Sequence, residues 1–494
     1  MAQTAPDRAV APHPNSPFDT FRSAIDAALA ENTLAQAVIG KGLLVDGPFG
    51  PVRLLYADYA ASGRALSQVE HFVMNNVLPI YANPHTQASF CGRSINALRR
   101  AARAEIARFC SAGCEDAVIF AGSGATAGIQ KLVRLFGADR LDEHGRRPVV
   151  LVGPYEHHSN LLPWRESLAE VIELPESDDG GPDLVALAAQ LRHLAGRHVI
   201  CTFSAGSNVT GALTNVAAVS RIVKAHGARV IWDYAGAGPY LPMTMHPASD
   251  VHVDALVTSP HKFMGGPGAS GLLVVRRDAV LLDKPTSAGG GTVSFVTSEI
   301  HDYLDDVTAR EEAGTPNAIA DIRAALAFIV RDCIMRAGLD VHAERMRSEA
   351  LDRWRANGRI EILGPCHAKM LPIVAFRVRD TNSKLVHHQL ITRILSDCFG
   401  VQARGGCACA GPYLHRLLDI DPVRSESIRA AVKAGRELEK PGFVRVTFSP
   451  LMDVDEFTAL VDAVDEVARD SARYAARFHP DPETAVFEPV LASQ

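Results

Sequence analysis

The chain has 494 residues, of which 47% are apolar, and its formal net charge at pH 7 is -6. This length is enough to bury the cores of two domains, and the slight acidity disfavours nucleic-acid binding, which relies on basic surfaces. No apolar run approaches the roughly 20 residues that span a bilayer, so we expect no membrane association. The nine cysteines are odd in number and scattered, which favours free thiols and a cytoplasmic location over a disulfide framework.

The N-terminal segment, residues 1–50, is predicted to contain a flexible tail and one helix. The first residues are rich in proline and lack the apolar centre of a signal peptide. The stretch Phe18–Glu31 is predicted to be helical, because its apolar residues have helix-like spacing. A second helix is expected near Ser94–Phe109, after a turn at Asn83–Thr86.

Strands alternate with helices through the predicted large domain, residues 51–315. The strands are apolar on both faces, which indicates a mainly parallel sheet flanked by helices. They are predicted at Ala117–Phe120, Val149–Val152, Val199–Phe203, Val230–Trp232, Ala255–Val257 and Gly271–Val275. Polar residues follow these strands, and ligands bind outside the carboxyl ends of such sheets. The repeated coincidence predicts one shared site at this edge.

A smaller C-terminal α/β domain is predicted over residues 316–480. Its expected elements are a helix at Ala318–Gly338, a strand at Ile373–Val378, a helix at Ser383–Asp397, a strand at Val444–Phe448 and a helix at Val454–Tyr474. Between them, Gly400–Pro412 is rich in glycine and cysteine and is predicted to be a loop. Residues 481–494 are expected to be irregular.

A lysine follows one of the buried strands in the stretch VDALVTSPHKFMGGPG. This residue, Lys262, lies after Ala255–Val257 and before a cluster of glycine and proline. For an isolated lysine, a solvated surface loop is the usual explanation. At the end of a buried strand, however, burial lowers the pKa of a lysine and makes its amine available for covalent catalysis.

The other strand ends supply parts that fit one cofactor. Gly124, Ala125 and Thr126 precede a helix, where free N–H groups bind phosphate. Asp233 follows a buried strand, where a carboxylate can keep a pyridine nitrogen protonated, and His157 can stack on a ring. Together with Lys262, these are the parts that pyridoxal 5'-phosphate needs to act as an electron sink.

Ten motifs in this sequence resemble those of fold-type I, class V aminotransferase-like enzymes, most closely the cysteine desulfurase/selenocysteine lyase group. They cover roughly Tyr56–Ser449. The motifs are YADYAASG, NPHT, GATAGI, EHHSNLLPW, SNVTG, WDYAG, TSPHK, GGGT, EAGTPN and RGGCACAGP. The resemblance implies an α/β, fold-type I pyridoxal-phosphate-dependent transferase, and a homodimer with active sites at the subunit interface.

The resemblance also implies roles for individual residues. Lys262 matches the family's Schiff-base lysine, Asp233 the partner of the pyridine nitrogen, and His157 the residue stacked on the ring, while His158 is expected to be structural. Phosphate ligands are expected at Gly124, Ala125, Thr126, Ser259 and His261, and Thr292 resembles a phosphate contact from the other subunit. Asn208 matches a residue near the phenolic oxygen of the cofactor. Substrate contacts are expected from Arg404, which matches the family's carboxylate-binding arginine, and from Asn83.

Two positions depart from the family pattern. Gly236 stands where relatives usually have a glutamine near the phenolic oxygen of the cofactor. In the cysteine loop, Cys409 keeps the family's spacing from Arg404 and is the expected nucleophile, but Cys407 adds a second thiol. Zinc binding by Cys407, Cys409 and His415 is an alternative, disfavoured because structural zinc usually takes four ligands. We therefore predict no metal site.

The leading functional hypothesis is a cysteine desulfurase-like enzyme that converts L-cysteine to L-alanine and leaves a persulfide on Cys409. Its partners would be an amino-acid substrate and a sulfur-acceptor protein. Transamination, epimerisation, and C–S or C–Se lysis without a persulfide remain alternatives, because the fold hosts all of them. A non-catalytic scaffold is a third possibility, against which the intact Lys262 and Asp233 argue.

Overall fold

The computed structural model describes residues 17–365 and 370–490. The predicted tail, through residue 16, lies outside the described residues. Within the described ranges, no helix combines the length and the apolar character needed to cross a membrane.

The elements near the N-terminus pack against helices that come later in the chain. Phe18, Phe21 and Ile25 of the first helix are buried in the same core as the helix Ala318–Arg336. This core is called the first core below. The elements of this part are α1 (Pro17–Ala30), β1 (Leu44–Gly47), β2 (Gly50–Arg53), β3 (Leu55–Tyr56), α2 (Ser67–Phe72) and α3 (Phe90–Phe109).

A seven-stranded sheet forms the centre of the large domain. Its elements in chain order are β4 (Asp116–Gly122), α4 (Gly124–Leu135), β5 (Val149–Val152), α5 (Leu162–Arg165), β6 (Glu170–Glu173), α6 (Leu184–His193), β7 (Val199–Ser204), α7 (Val216–Ala225), β8 (Arg229–Asp233), β9 (Ala255–Thr258) and β10 (Gly271–Arg276). The strand order is β4-β10-β9-β8-β7-β5-β6. All strands run parallel except β10, which is antiparallel to both of its neighbours. The predicted mainly parallel α/β fold is confirmed.

Alternation along the strands divides the side chains between two cores. In β5, Val149 and Leu151 face the first core, whereas Val150 and Val152 face a core on the opposite side of the sheet. Successive side chains of a strand point to opposite faces, and both faces of the inner strands β5, β7 and β9 are covered, so these strands are buried along their whole length. The sheet is thereby held rigidly between helices, with its strand ends free to carry polar residues.

The segment after β10 leads into the second α/β region. Its elements are β11 (Val293–Val296), β12 (His301–Tyr303), α8 (Val307–Glu311), α9 (Ala318–Arg336), α10 (Leu339–Ala356), β13 (Ile360–Ile362), β14 (Ile373–Val378), α11 (His388–Phe399), β15 (Val401–Gln402), β16 (Arg404–Gly406), α12 (Gly411–Leu417), α13 (Pro422–Lys433), β17 (Phe443–Thr447), α14 (Val454–Arg469), α15 (Ser471–Ala475), β18 (Phe478–Pro480) and β19 (Phe487–Pro489). The sheet β13-β14-β17-β16 is antiparallel. It packs against a core of its own, called the second core below, which also contains Leu55 and Ala57.

Several boundaries differ from the sequence expectation. The predicted loop Gly400–Pro412 contains β15 and β16, because its glycine-rich backbone pairs with β3 and β17. The segment expected to be irregular, residues 481–494, contains β19, which pairs with β18 and buries Phe487. The helix α9 follows residue 316 but packs in the first core, together with residues of the large domain. Packing alone therefore does not support the proposed domain boundary at residue 316, which stays a prediction.

Candidate active site

A cavity of about 240 Å³ lies where the carboxyl ends of the parallel strands meet. Residues from both α/β regions line it. They are Ala60, Ala61, Ser123, Gly124, Ala125, Thr126, His157, Ser159, Ser204, Gly206, Asn208, Asp233, Ala235, Gly236, Ser259, His261, Lys262, Arg404, Ala408, Cys409 and Arg445. The polar residues at the strand ends therefore meet in one concave surface, which is rich in charged and polar groups.

Lys262 ends a short turn, Pro260–Lys262, that follows β9. The turn is fixed beneath the lysine by Phe263, which is fully buried in the first core. Burial lowers the pKa of Lys262 to about 8, although the negative charge of Asp233 acts in the opposite direction. A larger fraction of this amine is therefore neutral near pH 7 than in a solvated lysine.

Asp233 is the last residue of β8, the strand next to β9. Its side chain is buried, and Oδ1 accepts a hydrogen bond of 2.7 Å from the backbone N–H of Ala235. Burial raises the pKa of this carboxyl, while that hydrogen bond and the charge of Lys262 lower it. A cationic partner in the cavity would favour the carboxylate further.

The N-terminus of α4 meets the lysine turn and forms a small-residue cradle. The N–H of Ala125 donates to Oγ of Ser259 over 2.9 Å, and Thr126 donates to Oγ of Ser159 over 2.7 Å. Gly124 has a positive φ of 63°, and a Cβ there would lie 3.0 Å from Oγ of Ser259. The N–H groups of a helix N-terminus, beside hydroxyls and His261, are suited to an oxyanion such as phosphate.

His157 is held in one tautomer by the turn that follows it. Its Nδ1 accepts a hydrogen bond of 3.1 Å from the N–H of Ser159, so a neutral ring carries its proton on Nε2. Burial lowers the pKa of His157 to about 3, and the charge of Lys262 contributes. The ring is therefore neutral at physiological pH and offers a flat, uncharged face.

Two arginines share one carboxylate at the edge of the cavity. Nε of Arg404 donates to Oδ2 of Asp58 over 2.9 Å, and Arg445 donates to Oδ1 of Asp58 over 2.8 Å. Arg445 also donates to the backbone oxygen of Asn208 over 2.8 Å, and its buried Nε has no hydrogen-bond partner within residues 17–365 and 370–490. A buried guanidinium with a spare donor is suited to an incoming carboxylate.

Sequence reasoning missed Arg445 and Glu156. Arg445 lies within the apolar stretch FVRVTF, and a charged residue in a buried strand was the available signal. Glu156 is buried and accepts from the N–H and Oγ of Ser204 and from Asn160. Burial raises the pKa of Glu156 to about 7, and the nearby Asp233 raises it further. Glu156 therefore ties the end of β7 to the turn that carries His157.

The two loop cysteines have different surroundings. Cys409 is exposed and lines the cavity, whereas Cys407 is half-buried against an apolar cluster that includes Tyr155 and Val209. The eight cysteines in the described part of the chain are all free thiols. In the same ranges, no three His, Cys, Asp or Glu side chains are placed to hold a metal ion, and Cys407, Cys409 and His415 form no such group.

Two predicted site residues lie apart from the cavity of their own chain. Thr292 is buried and its hydroxyl donates to the backbone oxygen of Gly289 over 2.7 Å. Asn83 is exposed, and its Oδ1 accepts from the N–H of His85 over 3.0 Å. Neither residue is part of the cavity lining, so any role of theirs would need another subunit or a movement of the chain.

The cavity fits pyridoxal 5'-phosphate by its donor groups. The α4 N-terminus with Ser259 and His261 offers a phosphate cradle, and Asp233 is the buried carboxylate available to a pyridine nitrogen. Lys262 lines the same cavity and supplies an amine of lowered pKa. The cavity volume of about 240 Å³ leaves room for a small aromatic molecule.

The fold and this site define a class V enzyme of the aminotransferase superfamily. The family described as Aminotransferase class-V matches residues 55–460, and the chain belongs to this family. "Probable cysteine desulfurase 2" of Mycobacterium leprae is 29% identical over 320 residues, which cover 64% of this chain and 72% of that protein. "Cysteine desulfurase" of Klebsiella pneumoniae is 27% identical over 379 residues, covering 74% and 86% respectively.

Solved structures agree with the fold. A cysteine desulfurase from Thermococcus onnurineus superposes with a TM-score of 0.67 at 22% identity, covering 84% of this chain and 94% of that one. The Escherichia coli cysteine desulfurase CsdA superposes with a TM-score of 0.64 at 21% identity, covering 92% and 98%. The predicted resemblance to this group and the predicted fold class are confirmed.

Proposed function

We propose that this protein is a pyridoxal-phosphate-dependent cysteine desulfurase, which converts L-cysteine to L-alanine and takes the sulfur onto Cys409. The proposal rests on the position of Cys409, which lines the same cavity as Lys262 and Asp233. A lyase or aminotransferase of this fold needs the lysine and the aspartate but has no use for a thiol facing them.

The residues around the cofactor position divide the work. The bound cofactor supplies an electron sink for the Cα of the amino acid. Asp233 holds a proton at the pyridine nitrogen, and His157 covers the ring with a neutral face. Lys262, whose pKa is lowered to about 8, carries a proton to and from the substrate carbon.

Substrate binding is assigned to the two arginines. Asp58 accepts hydrogen bonds from both Arg404 and Arg445, and Arg445 has one buried donor without a partner in the described part of the chain. A substrate carboxylate can accept from both guanidinium groups in this arrangement. The amino acid is thereby oriented with its side chain toward the loop that bears Cys409.

The sulfur step uses the thiolate of Cys409. Its sulfur attacks the sulfur of the substrate, so that an S–S bond forms and the C–S bond breaks. The electron pair of the broken bond stays with carbon, which gains a proton and leaves as part of alanine. Cys409 retains the persulfide, and because Cys409 is exposed, an acceptor thiol can reach it.

The decisive experiment incubates the enzyme with L-cysteine and a reducing acceptor and quantifies sulfide and alanine together. Equal amounts of the two products are expected. Formation of a keto acid would instead indicate transamination, and release of sulfide without alanine would indicate a different lyase reaction. Absence of any product would reject the enzyme assignment in favour of a scaffold.

The assembly and location are further parts of the proposal. A homodimer is supported by the hairpin β11–β12, which exposes Phe295, Val296 and Ile300, and by Thr292, buried next to it outside its own cavity. The eight free cysteines of the described chain suit the reducing cytoplasm. A sulfur-acceptor protein is the expected partner, because a persulfide must be discharged before the next turnover.

Asp233→Asn is expected to bind cofactor and to lose at least about a hundredfold in turnover, the scale of a strong electrostatic contact in an active site. An amide fits the same space but cannot keep a pyridine nitrogen protonated. The measurement is kcat for alanine formation, with cofactor content taken from absorbance. Asp250→Asn, which changes an exposed aspartate paired with Arg221, is the control. Turnover near that of the wild type would mean that another acid performs this task.

Gly236 creates a measurable difference from relatives that have glutamine. A Cβ at this position would lie 3.4 Å from the backbone oxygen of Gly206 and 3.5 Å from Cβ of Asn208, which are ordinary contacts. Gly236→Gln is therefore expected to fold and to add a donor near the phenolic oxygen of the cofactor. We expect the pH midpoint of the visible band to fall, because a donor stabilises the anionic oxygen. Identical titrations of both proteins would show that another group already provides this donor.

A further inference from the structure

The loop that carries the nucleophile is short and fixed at both ends. On one side, β16 ends at Gly406, paired with Phe443 of β17. On the other side, α12 begins at Gly411 and is anchored to the large domain. Its Tyr413 bonds to Thr210 and Glu176 over 3.2 Å, and its Arg416 donates to the backbone oxygen of Pro154. Only four residues, Cys407 to Ala410, lie between these elements.

Three hydrogen bonds hold this loop and the first residue of α12 against the large domain. The backbone N–H of His158 donates to the carbonyl of Cys409 over 2.8 Å. Nε2 of His158 accepts from the N–H of Gly411 over 3.0 Å. Nδ2 of Asn208 donates to the carbonyl of Ala408 over 2.8 Å. His158 therefore makes hydrogen bonds to this segment through both its backbone N–H and its ring.

The backbone at the centre of the loop is left-handed. Ala408 has a φ of 48° and Cys409 a φ of 55°. Residues other than glycine adopt this conformation only where surrounding contacts hold it. The two consecutive left-handed residues turn the chain, so that Cys409 lines the cavity while Cys407 packs against the apolar cluster around Tyr155.

We propose that His158 is a positioning residue that selects the reacting thiol, because its hydrogen bonds to Cys409 and Gly411 hold the turn that presents Cys409 to the cavity and turns Cys407 away. The assignment of Cys409 as the nucleophile rests on the proposed function, whereas the positioning of the loop does not. The ring acts as an acceptor at Nε2 and must be unprotonated there. Burial, with the charge of Arg165, lowers the pKa of His158 and keeps the ring in that form.

The test compares the cofactor-loaded wild type with His158→Leu, His158→Gln and, as a matched control, His144→Leu. Leucine fills the space of the ring but offers no acceptor, whereas the side-chain oxygen of glutamine can accept from Gly411. His144 is an exposed histidine of another loop, with 64% of its side chain exposed. Each protein is treated with iodoacetamide in the resting state, and the alkylation rates of Cys407 and Cys409 are obtained by peptide mass spectrometry.

The ratio of Cys409 to Cys407 alkylation is expected to fall about tenfold in His158→Leu, the effect of leaving the partly buried N–H of Gly411 without its acceptor. His158→Gln is expected to recover most of the ratio, and His144→Leu to match the wild type. In the cysteine assay, kcat should fall with the ratio while KM stays nearly constant. A ratio in His158→Leu within about twofold of the wild type overturns the proposal, as does a glutamine variant that behaves like the leucine variant.

Gly411→Ala provides a second test if His158→Leu does not fold. Its added methyl would lie 3.2 Å from Nε2 of His158 and would press on the same contact. The same fall in the alkylation ratio is expected, and an unchanged ratio overturns the proposal. Because alkylation needs no turnover, a wild-type enzyme that fails the cysteine assay yet shows the predicted ratios would reject the proposed function alone.

Discussion

Lys262→Ala is expected to abolish turnover while the protein still binds cofactor through the phosphate cradle. The loss should be at least about a thousandfold, within the range for removing a group that transfers a proton in the reaction. The amine of Lys262 has its pKa lowered to about 8 by burial, and the other described residues that line the cavity offer no second amine. Alanine formation and cofactor content measured on the same sample separate catalysis from binding.

The covalent link itself can be located by chemistry. Borohydride reduction of the loaded wild type, followed by digestion and mass spectrometry, is expected to place the cofactor adduct on the peptide that contains Lys262. Lys131→Ala is the comparison, since Lys131 is engaged by Glu311 and Thr286 away from the cavity. An adduct on any lysine other than Lys262 would end this assignment.

The pH dependence of this lysine follows from the direction of its shift. The neutral amine is the reactive form, so the rate at which cofactor-free protein combines with pyridoxal phosphate should rise with pH. Its half-point is expected near a pKa of about 8 instead of the 10.5 of an ordinary lysine. Asp233 opposes the shift, so a half-point close to 10.5 would mean that its charge cancels the effect of burial on this amine.

Cys409→Ala is expected to abolish desulfuration of cysteine and to leave cofactor binding intact, because the nucleophile is lost while the opposite wall of the cavity is unchanged. Cys407→Ala should retain single-turnover formation of the persulfide. Cys407 lies half-buried against the apolar cluster and does not line the cavity. Trapping the product of one turnover with an alkylating agent, followed by peptide mapping, is expected to find the extra sulfur on Cys409.

Two results would change this assignment. If the extra sulfur is found on Cys407 and Cys409→Ala remains active, the nucleophile is the other thiol. If neither thiol is labelled and both variants turn over, the desulfurase proposal gives way to another reaction of the family. Cys114→Ala, which changes an exposed cysteine far along the chain from this loop, controls for nonspecific labelling.

The parts of the site that could be predicted from sequence are those that follow consecutive parallel strands. Asp233 is the last residue of β8, and Lys262 ends the short turn that follows β9, the strand paired with β8. Strand ends of a parallel sheet meet at one edge, so apolar runs followed by polar residues were sufficient evidence. The cradle at Gly124 was predictable for the same reason, since a helix N-terminus follows β4.

The contacts of the arginine pair and of the loop depend on tertiary pairing, and the local signal was limited to the charged Arg445 within an apolar stretch. Arg404 lies in β16, which forms only by pairing with β17, and glycine-rich sequence predicts a loop there. Likewise β19 exists because Phe487 packs in the second core, far from its sequence neighbours. The roles of Thr292 and Asn83 depend on another subunit or another state of the chain and stay predictions.

The joining of β3 to the C-terminal region has a consequence for the order of folding. Asp58 is 346 residues from Arg404 and 387 from Arg445 along the chain. Contacts of such separation form late, whereas the strands β5–β9 pair with near neighbours in the chain. During synthesis, the lysine turn and Asp233 are therefore complete long before the residues of the arginine pair have been made. We expect refolding enzyme to regain cofactor absorbance before it regains turnover, so that a nascent molecule holds its cofactor before it can act on a substrate.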